Sequence, residues 1–169
     1  MAPYPSFTTL AQSVGGAFSA ADARTGLADD DGEIVTIRPA HTTDTKQGLP
    51  VFQGISGENS GAKHLCLNKV VIPPGTAAHA HLHRDHETAI YLMQGRVETF
   101  YGERLAKSVV NEAGDFIYIP AGVPHKPVNL STTEAAIAIV ARTDPNEQES
   151  VEAVAEPEAA ATPADDTKQ

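Results

Sequence analysis

The stretch HAHLHRDHE, residues 79–87, places four of the chain's seven histidines within nine positions and ends in a carboxylate. Side chains on an extended strand alternate between its two faces, so His81 and His83 would point to the same side. Two imidazole nitrogens on one face are able to hold a metal ion. A single His-x-His pair is weak evidence for a metal site, since histidines in a polar segment are often only solvated. Further evidence has to come from the rest of the chain.

The length and charge of the chain limit the classes of protein to which it can belong. A chain of 169 residues has room for one domain with a buried core. The formal net charge of -10 is uneven, because residues 143–169 hold eight acidic side chains against one lysine. This Ala/Pro/Glu-rich segment has few large apolar residues, so we predict a disordered acidic tail that is dispensable for stability. An acidic chain without a basic stripe also argues against nucleic acid or an anionic membrane as a partner.

The cysteine count and the absence of targeting patterns point to a reducing compartment. Cys66 is the single cysteine, which excludes an internal disulfide and a thiolate-rich zinc site within one chain. The first residues lack the pattern of a secretory signal, and no apolar run is long enough to cross a bilayer. We therefore expect a soluble, cytoplasmic protein with no membrane partner.

Short segments rich in β-branched and aromatic residues alternate with Gly, Pro and Asn between residues 33 and 142. The predicted strands lie within EIVTIRP (33–39), HLCLNKVVIPPG (64–75), TAAHAHLH (76–83), TAIYLMQGRVETFYG (88–102), SVVNEAGDFIYIPAG (108–122) and EAAIAIVART (134–143). Gln94-Gly95 and Ala113-Gly114 indicate hairpin turns. Without a long amphipathic helix, this pattern predicts an all-β antiparallel sandwich or small barrel at 33–142, after an N-terminal arm at 1–32.

Another histidine lies in a frame of glycines and prolines, in the segment GDFIYIPAGVPHKPVN, residues 114–129. Glycine permits backbone turns that other residues resist, and proline fixes φ near the following turn. We therefore expect His125 to be presented from a rigid strand end and not from a mobile loop.

The spacing in this second segment resembles a conserved motif of the cupin superfamily: Gly, five residues, Pro-x-Gly, two residues, His, three residues, Asn. The matching positions are Gly114, Pro120, Gly122, His125 and Asn129. The earlier segment resembles the other cupin motif, with its matches at Gly75, His81, His83, Glu87 and Gly95. The resemblance implies a small antiparallel β-barrel of the double-stranded β-helix, or jelly-roll, type. It also implies that one divalent metal ion is bound inside by His81, His83, Glu87 and His125.

One spacing differs from the family's, because seven residues and not six separate Glu87 from Gly95. Counted back from Gly95, the ligand position falls on Thr88, and a slip of one residue on a strand reverses the face of a side chain. A β-bulge near Glu87 would turn its carboxylate inward again. Without a bulge, His86 shares the face of Thr88 and could replace the carboxylate. We predict Glu87, because it keeps the family's spacing from the histidine pair and adds a charged ligand.

The resemblance leaves several functions open. Three imidazoles and a carboxylate suit Fe, Mn, Ni, Zn or Cu, and such a set usually leaves positions for water, oxygen or substrate. No phosphate-binding loop or nucleophile elbow is present, so chemistry would run through the metal, and no catalytic side chain is singled out. The first hypothesis is a metal-dependent oxygenase, isomerase or lyase acting on a small oxygen-rich organic substrate.

The second hypothesis is a non-catalytic, metal-dependent module that binds or senses a small ligand, and the third is a barrel whose metal only fastens its strands. We also expect a homodimer, because exposed sheet edges invite pairing. A sedimentation experiment at micromolar concentration would distinguish the homodimer from a monomer.

Overall fold

The computed structural model of the protein describes residues 32–146, 148 and 150–156. The described part of the chain contains ten strands: β1 Val51–Ile55, β2 Cys66–Ile72, β3 His81–His83, β4 Thr88–Gln94, β5 Arg96–Tyr101, β6 Lys107–Glu112, β7 Phe116–Ile119, β8 His125–Asn129, β9 Ala136–Arg142 and β10 Val151–Ala153. It also contains one short α-helix, α1 (Gly57–Ser60), and a 3-10 turn at Glu103–Leu105.

The strands form two five-stranded sheets. One sheet has the order β1-β2-β9-β4-β7 and the other β10-β3-β8-β5-β6, and every pairing within them is antiparallel. This architecture confirms the predicted all-β antiparallel barrel of the jelly-roll type. The only α-helix in the described residues has four residues, in agreement with the prediction that no long helix interrupts residues 33–142.

The two predicted hairpin turns are corners and not hairpins, because the strands that flank each of them lie in different sheets. The chain passes from β4 to β5 at Gly95 and from β6 to β7 at Gly114, both with positive φ. β4 pairs with β7 and β5 pairs with β6, so these four strands form one long hairpin that is bent between the sheets. A Cβ atom on Gly95 would lie 2.8 Å from Ala136 Cα, which explains why glycine occupies this corner.

The segment before the first strand differs from its prediction. Residues 33–39, predicted as a strand, have no regular structure, and Ile34 is 95% exposed. The first strand is β1 at Val51–Ile55, which pairs with β2. β-Branched composition favours a strand only where the side chains find a surface to pack on, and in residues 33–39 only Val35 and Ile37 are even half-buried. The predicted arm at 1–32 lies outside the described residues except for Gly32.

The inward-facing residues change from apolar to polar along the barrel. In β4 and β9 the cross-strand pairs run from Leu92 and Ala138 at one end to Thr88 and Arg142 at the other. The apolar end holds the hydrophobic core, a cluster of six buried residues: Leu49, Ile72, Ala78, Leu92, Val97 and Ala136. The interior beyond this core is therefore free to carry polar side chains, and the histidines lie there.

One strand of the second sheet lies within residues 143–169, the segment predicted as a tail. Val151–Ala153 form β10, which pairs with β3 along its whole length. Two ion pairs fix this strand to the barrel, one between Arg84 and Glu152 and one between Lys126 Nζ and Glu156 Oε2 at 2.6 Å. Residues 151–153 of the predicted tail thus belong to the second sheet, and residues 157–169 lie outside the described residues.

Candidate metal centre

Three histidines meet inside the barrel. His81 and His83 occupy alternate positions of β3 and share its inner face, and His125 begins β8 directly opposite His81. One ring nitrogen from each of the three lies within 4.8 Å of the others. All three side chains are buried, with 2–6% of their surface exposed. The structure thus brings together the three histidines predicted from the two sequence motifs.

Hydrogen bonds fix the orientation of all three rings through Nδ1. The contacts are His81 Nδ1 to the His79 carbonyl at 2.8 Å, His125 Nδ1 to the Val123 carbonyl at 2.9 Å, and His83 Nδ1 to Ser150 Oγ at 3.3 Å. A carbonyl oxygen only accepts hydrogen bonds, so the neutral rings of His81 and His125 carry their proton on Nδ1 and a lone pair on Nε2. Such contacts are typical of metal-binding histidines, whose other nitrogen is held by the protein.

The protonation state of the cluster also suits a metal ion. Burial is the main cause that lowers the pKa of His81 to about 3. Burial and the nearby Arg142 guanidinium lower the pKa of His83 to about 2, and burial lowers the pKa of His125 as well. All three rings are therefore neutral at pH 7, which is the form that ligates metals. The Nε2 atom of His83 is buried and has no hydrogen-bond partner, an arrangement that a metal ion would satisfy.

The structure does not bring Glu87 to the histidines. Its carboxylate accepts a hydrogen bond from Tyr118 Oη at 2.6 Å, and both side chains are exposed. Glu87 precedes β4, where the regular alternation turns Thr88, Ile90 and Leu92 inward. The irregularity in β4 lies between Leu92 and Gln94, too far along the strand to redirect Glu87. The bulge near Glu87, on which the predicted carboxylate ligand depended, is not found there.

His86, the alternative to Glu87, is also outside the cluster. Its Nδ1 lies 2.7 Å from the Thr143 carbonyl and its Nε2 lies 3.9 Å from Asp144 Oδ2. The histidine group that could hold a metal contains neither His86 nor Glu87. The assignment of the metal ligands themselves stays a prediction.

Thr88 occupies the inward position next to the histidines, with an arginine beside it. The Thr88 side chain is 2% exposed, and its Oγ1 accepts a hydrogen bond of 3.0 Å from Arg142 Nε. Arg142 is the cross-strand partner of Thr88 and is 5% exposed. The site therefore combines three neutral imidazoles with a buried guanidinium.

A cavity of about 80 Å³ lies beside the histidines. His81, His125, Thr88, Thr99 and Arg142 form its polar part, while its remaining walls are mostly aliphatic: Leu49, Val51, Val70, Ile90, Ile119, Pro127 and Val140, with Thr45 and Gln47. A cavity of this size holds several water molecules or a small organic molecule. Two of the three histidines, His81 and His125, are thus accessible to a ligand from inside the barrel.

The sequence analysis did not identify two residues of the site, Arg142 and Ser150. The burial of Arg142 could have been predicted, because Arg142 continues the inward-facing alternation of Ala136, Ala138 and Val140 in β9. No local signal indicated Ser150, since it lies in a segment whose composition indicates disorder. It reaches His83 only because β10 pairs with β3.

The two-sheet β-barrel with a histidine cluster inside it agrees with the fold that the two sequence motifs implied. Residues 68–141 match the family model described as Cupin domain. The match includes all three histidines, so this part of the barrel is identified as a cupin domain. A search of the curated proteins found no match to the sequence.

Solved structures similar to this chain share its fold. An uncharacterized conserved protein with a double-stranded β-helix domain from Klebsiella pneumoniae is 14% identical, with a TM-score of 0.55, covering 69% of this chain and 92% of that chain. A Cupin 2 conserved barrel domain protein from Salinispora arenicola is 21% identical, with a TM-score of 0.54 and the same coverage. Oxalate decarboxylase from Bacillus subtilis, with Mn(II) centres, is 18% identical with a TM-score of 0.54.

The match to oxalate decarboxylase covers 62% of this chain and 28% of that protein. At these identities the similarities show the fold alone. No helix in the described part of the chain combines the length and apolar character that crossing a membrane requires.

Proposed function

We propose that this cupin binds one divalent metal ion through His81, His83 and His125 and acts as a metal-dependent enzyme on a small, oxygen-rich organic molecule. The observation that carries the proposal is the convergence of three buried, neutral imidazoles, two of which line a cavity inside the barrel. The reaction class predicted from the sequence, an oxygenase, isomerase or lyase, is part of this proposal.

The protein's own residues provide the setting for such chemistry. The backbone carbonyls of His79 and Val123 orient two rings, and Ser150 contacts the third. The aliphatic walls around Ile90 and Val140 exclude bulk water, which strengthens electrostatic interactions at the site. A divalent ion held there would supply Lewis-acid polarisation of a substrate oxygen. The Mn(II) centres of the Bacillus oxalate decarboxylase support a metal in this fold, and imidazole ligands also suit Fe, Ni, Zn and Cu.

A cavity beside the histidines argues against a barrel whose metal only fastens strands, because a structural metal is normally enclosed by its ligands. A second candidate, a non-catalytic ligand-binding or sensing module, is favoured by a different observation. Among the described residues that line the cavity, none is an aspartate, glutamate, lysine, tyrosine or cysteine able to act as a general acid or base.

The two candidates differ in turnover, so a product assay separates them. Protein purified with its native metal would be incubated with a panel of α-keto acids, hydroxy ketones and catechols while oxygen uptake and products are followed. We expect turnover that is lost in His125→Ala and retained in His79→Ala, a matched control at an exposed histidine outside the cluster. Saturable binding without any turnover would support the sensing module, and neither binding nor turnover by the metal-loaded protein would contradict both.

A further inference from the structure

The outer face of the sheet β1-β2-β9-β4-β7 is apolar, although the solvent-facing positions of an antiparallel sheet are usually polar. The inward positions of these strands hold the buried side chains, so the positions between them point outward. Cross-strand pairing arranges the outward residues in three rows: Tyr118-Ala89-Ala141-Leu67, Phe116-Tyr91-Ile139-Lys69-Phe52 and Ile137-Val71. Lys69 is the only charged residue in these rows, and we call their residues the apolar face.

Aromatic side chains dominate the exposed surface of the apolar face. Phe116 is 84% exposed, Tyr118 61% and Tyr91 39%. The rings of Tyr91 and Phe116 pack against each other with their centroids 4.8 Å apart. The single charged group, Lys69 Nζ, lies 3.8 Å from the centre of the Phe52 ring. A contiguous apolar patch of this kind on a protein surface marks an interaction site.

The outer face of the second sheet differs in its charge. The outward positions of its strands carry five charged side chains: Arg96, Glu98, Glu112, Lys126 and Glu152. Four of these five form ion pairs on the surface. One side of the barrel thus has the charged surface that contact with water favours, whereas the other side has the composition of a surface that is covered.

The size of the apolar face fits the interface of a homodimer. With about 200 Å² for a whole aromatic side chain, the exposed fractions of Phe116, Tyr118 and Tyr91 amount to roughly 350 Å² per copy. The half-buried side chains of Ile139 and Val71 enlarge this area toward the approximately 800 Å² that each partner contributes to a standard interface. Homodimer interfaces are more apolar than those between transient partners, which matches the scarcity of charge on this face.

We propose that two copies of this chain pack against each other through their apolar faces, with Phe116, Tyr118 and Tyr91 as the main buried side chains. A second copy offers the same uncharged surface, and two sheets that pack face to face bury their side chains in a layer about 10 Å thick. The homodimer expected from exposed sheet edges is thus assigned to a face of one sheet. This surface lies outside the barrel, so the proposal does not depend on the proposed metal site.

Sedimentation equilibrium of the full chain at micromolar concentrations tests the proposal. The wild type should sediment with twice the chain mass of 17.8 kDa. Phe116→Lys would bury a charge between the two sheets and should weaken the dimer by roughly a hundredfold or more. Val110→Lys makes the same change of charge at a 40% exposed position of β6, in the other sheet, and should leave the dimer unchanged.

A wild-type chain that stays monomeric at high micromolar concentration would overturn the proposal, whether residues 1–31 of the same chain or another molecule then covers the apolar face. A dimer that is weakened equally by Phe116→Lys and Val110→Lys would overturn it as well. Because Phe116 is 84% exposed, we expect its variant to fold with an unchanged circular dichroism spectrum.

Tyr91→Lys separates packing through the face from pairing through an edge. Tyr91 lies on β4, between β9 and the edge strand β7, so its substitution changes the face and leaves the edge as it is. We expect Tyr91→Lys to dissociate the dimer as Phe116→Lys does. If Tyr91→Lys does not fold, Ala89→Lys, at an exposed position of the same strand, takes its place. A dimer that survives this substitution and is lost in Phe116→Lys would show pairing along β7 and overturn the proposal.

Discussion

The buried histidines make the stability of the metal-free protein sensitive to mild acid. The pKa of His81 is lowered from 6.5 to about 3 and that of His83 from 6.5 to about 2, so both stay neutral in the folded chain at pH 5. In the unfolded chain both return to the ordinary pKa and are protonated at pH 5. The unfolded state therefore binds more protons than the folded state, and the free energy of unfolding decreases as the pH falls below 6.5.

The size of the effect follows from proton linkage. Between pH 7 and pH 5, each histidine with an unfolded pKa of 6.5 and a much lower folded pKa costs roughly 2 kcal/mol of stability. His81 and His83 together cost about 4 kcal/mol, a large part of the 5–15 kcal/mol that typically stabilises a domain. His125 acts in the same direction, because burial lowers its pKa as well.

Urea unfolding of chelator-treated protein at pH 7 and pH 5 measures this loss. Between pH 7 and pH 5, the double variant His81→Asn/His83→Asn should lose about 4 kcal/mol less free energy of unfolding than the wild type, since asparagine does not titrate. His79→Asn, at an exposed position, should keep the wild-type dependence. Wild type and double variant losing the same free energy between the two pH values would refute the reasoning.

Three further predictions concern the residues around the cluster. Thr88→Glu places a carboxylate at the inward position, and we expect the Co(II) affinity to rise by roughly tenfold or more, as measured by competition with a chelator; an affinity no higher than that of the wild type would contradict this prediction. Ser150→Ala removes the partner of His83 Nδ1 and should weaken cobalt binding about tenfold at an unchanged fold by circular dichroism; unchanged affinity would contradict a positioning role. Truncation after Glu156 should leave the melting temperature, measured by calorimetry, unchanged. Truncation after Arg142 removes β10 with its buried Val151 and should lower the melting temperature by about 5 °C or more. Equal melting temperatures for the two truncated chains would show that β10 adds no stability.

The sequence predicted the histidine cluster because its signals are local. His81 and His83 lie two residues apart on one strand, and the glycines and prolines around His125 determine where β8 begins. The direction in which the Glu87 side chain points was harder to predict, because it depends on where β4 begins and where the irregularity of β4 lies. Both are set by the pairing of β4 with β9, which the local sequence does not encode.

Other features depended on contacts distant in sequence. Gly95 and Gly114 were recognised as turns, but a local pattern does not show that the chain changes sheet at each of them. The composition around β10 indicated disorder. The strand forms because it pairs with β3 and because Glu152 and Glu156 make ion pairs with Arg84 and Lys126. Arg142 could have been predicted from the alternation in β9, whereas its contact with Thr88 required the register of the sheet.

The metal content of the purified protein tests the central claim most directly. Elemental analysis of protein loaded with Co(II) or Mn(II) and then freed of excess metal should find about one equivalent per chain. The variants His81→Ala, His83→Ala and His125→Ala should each lose most of that metal, while His79→Ala and Glu87→Ala, which lie outside the cluster, should retain it. A wild-type chain without bound metal, or a His125→Ala variant that binds as much as His79→Ala, would contradict the three-histidine centre.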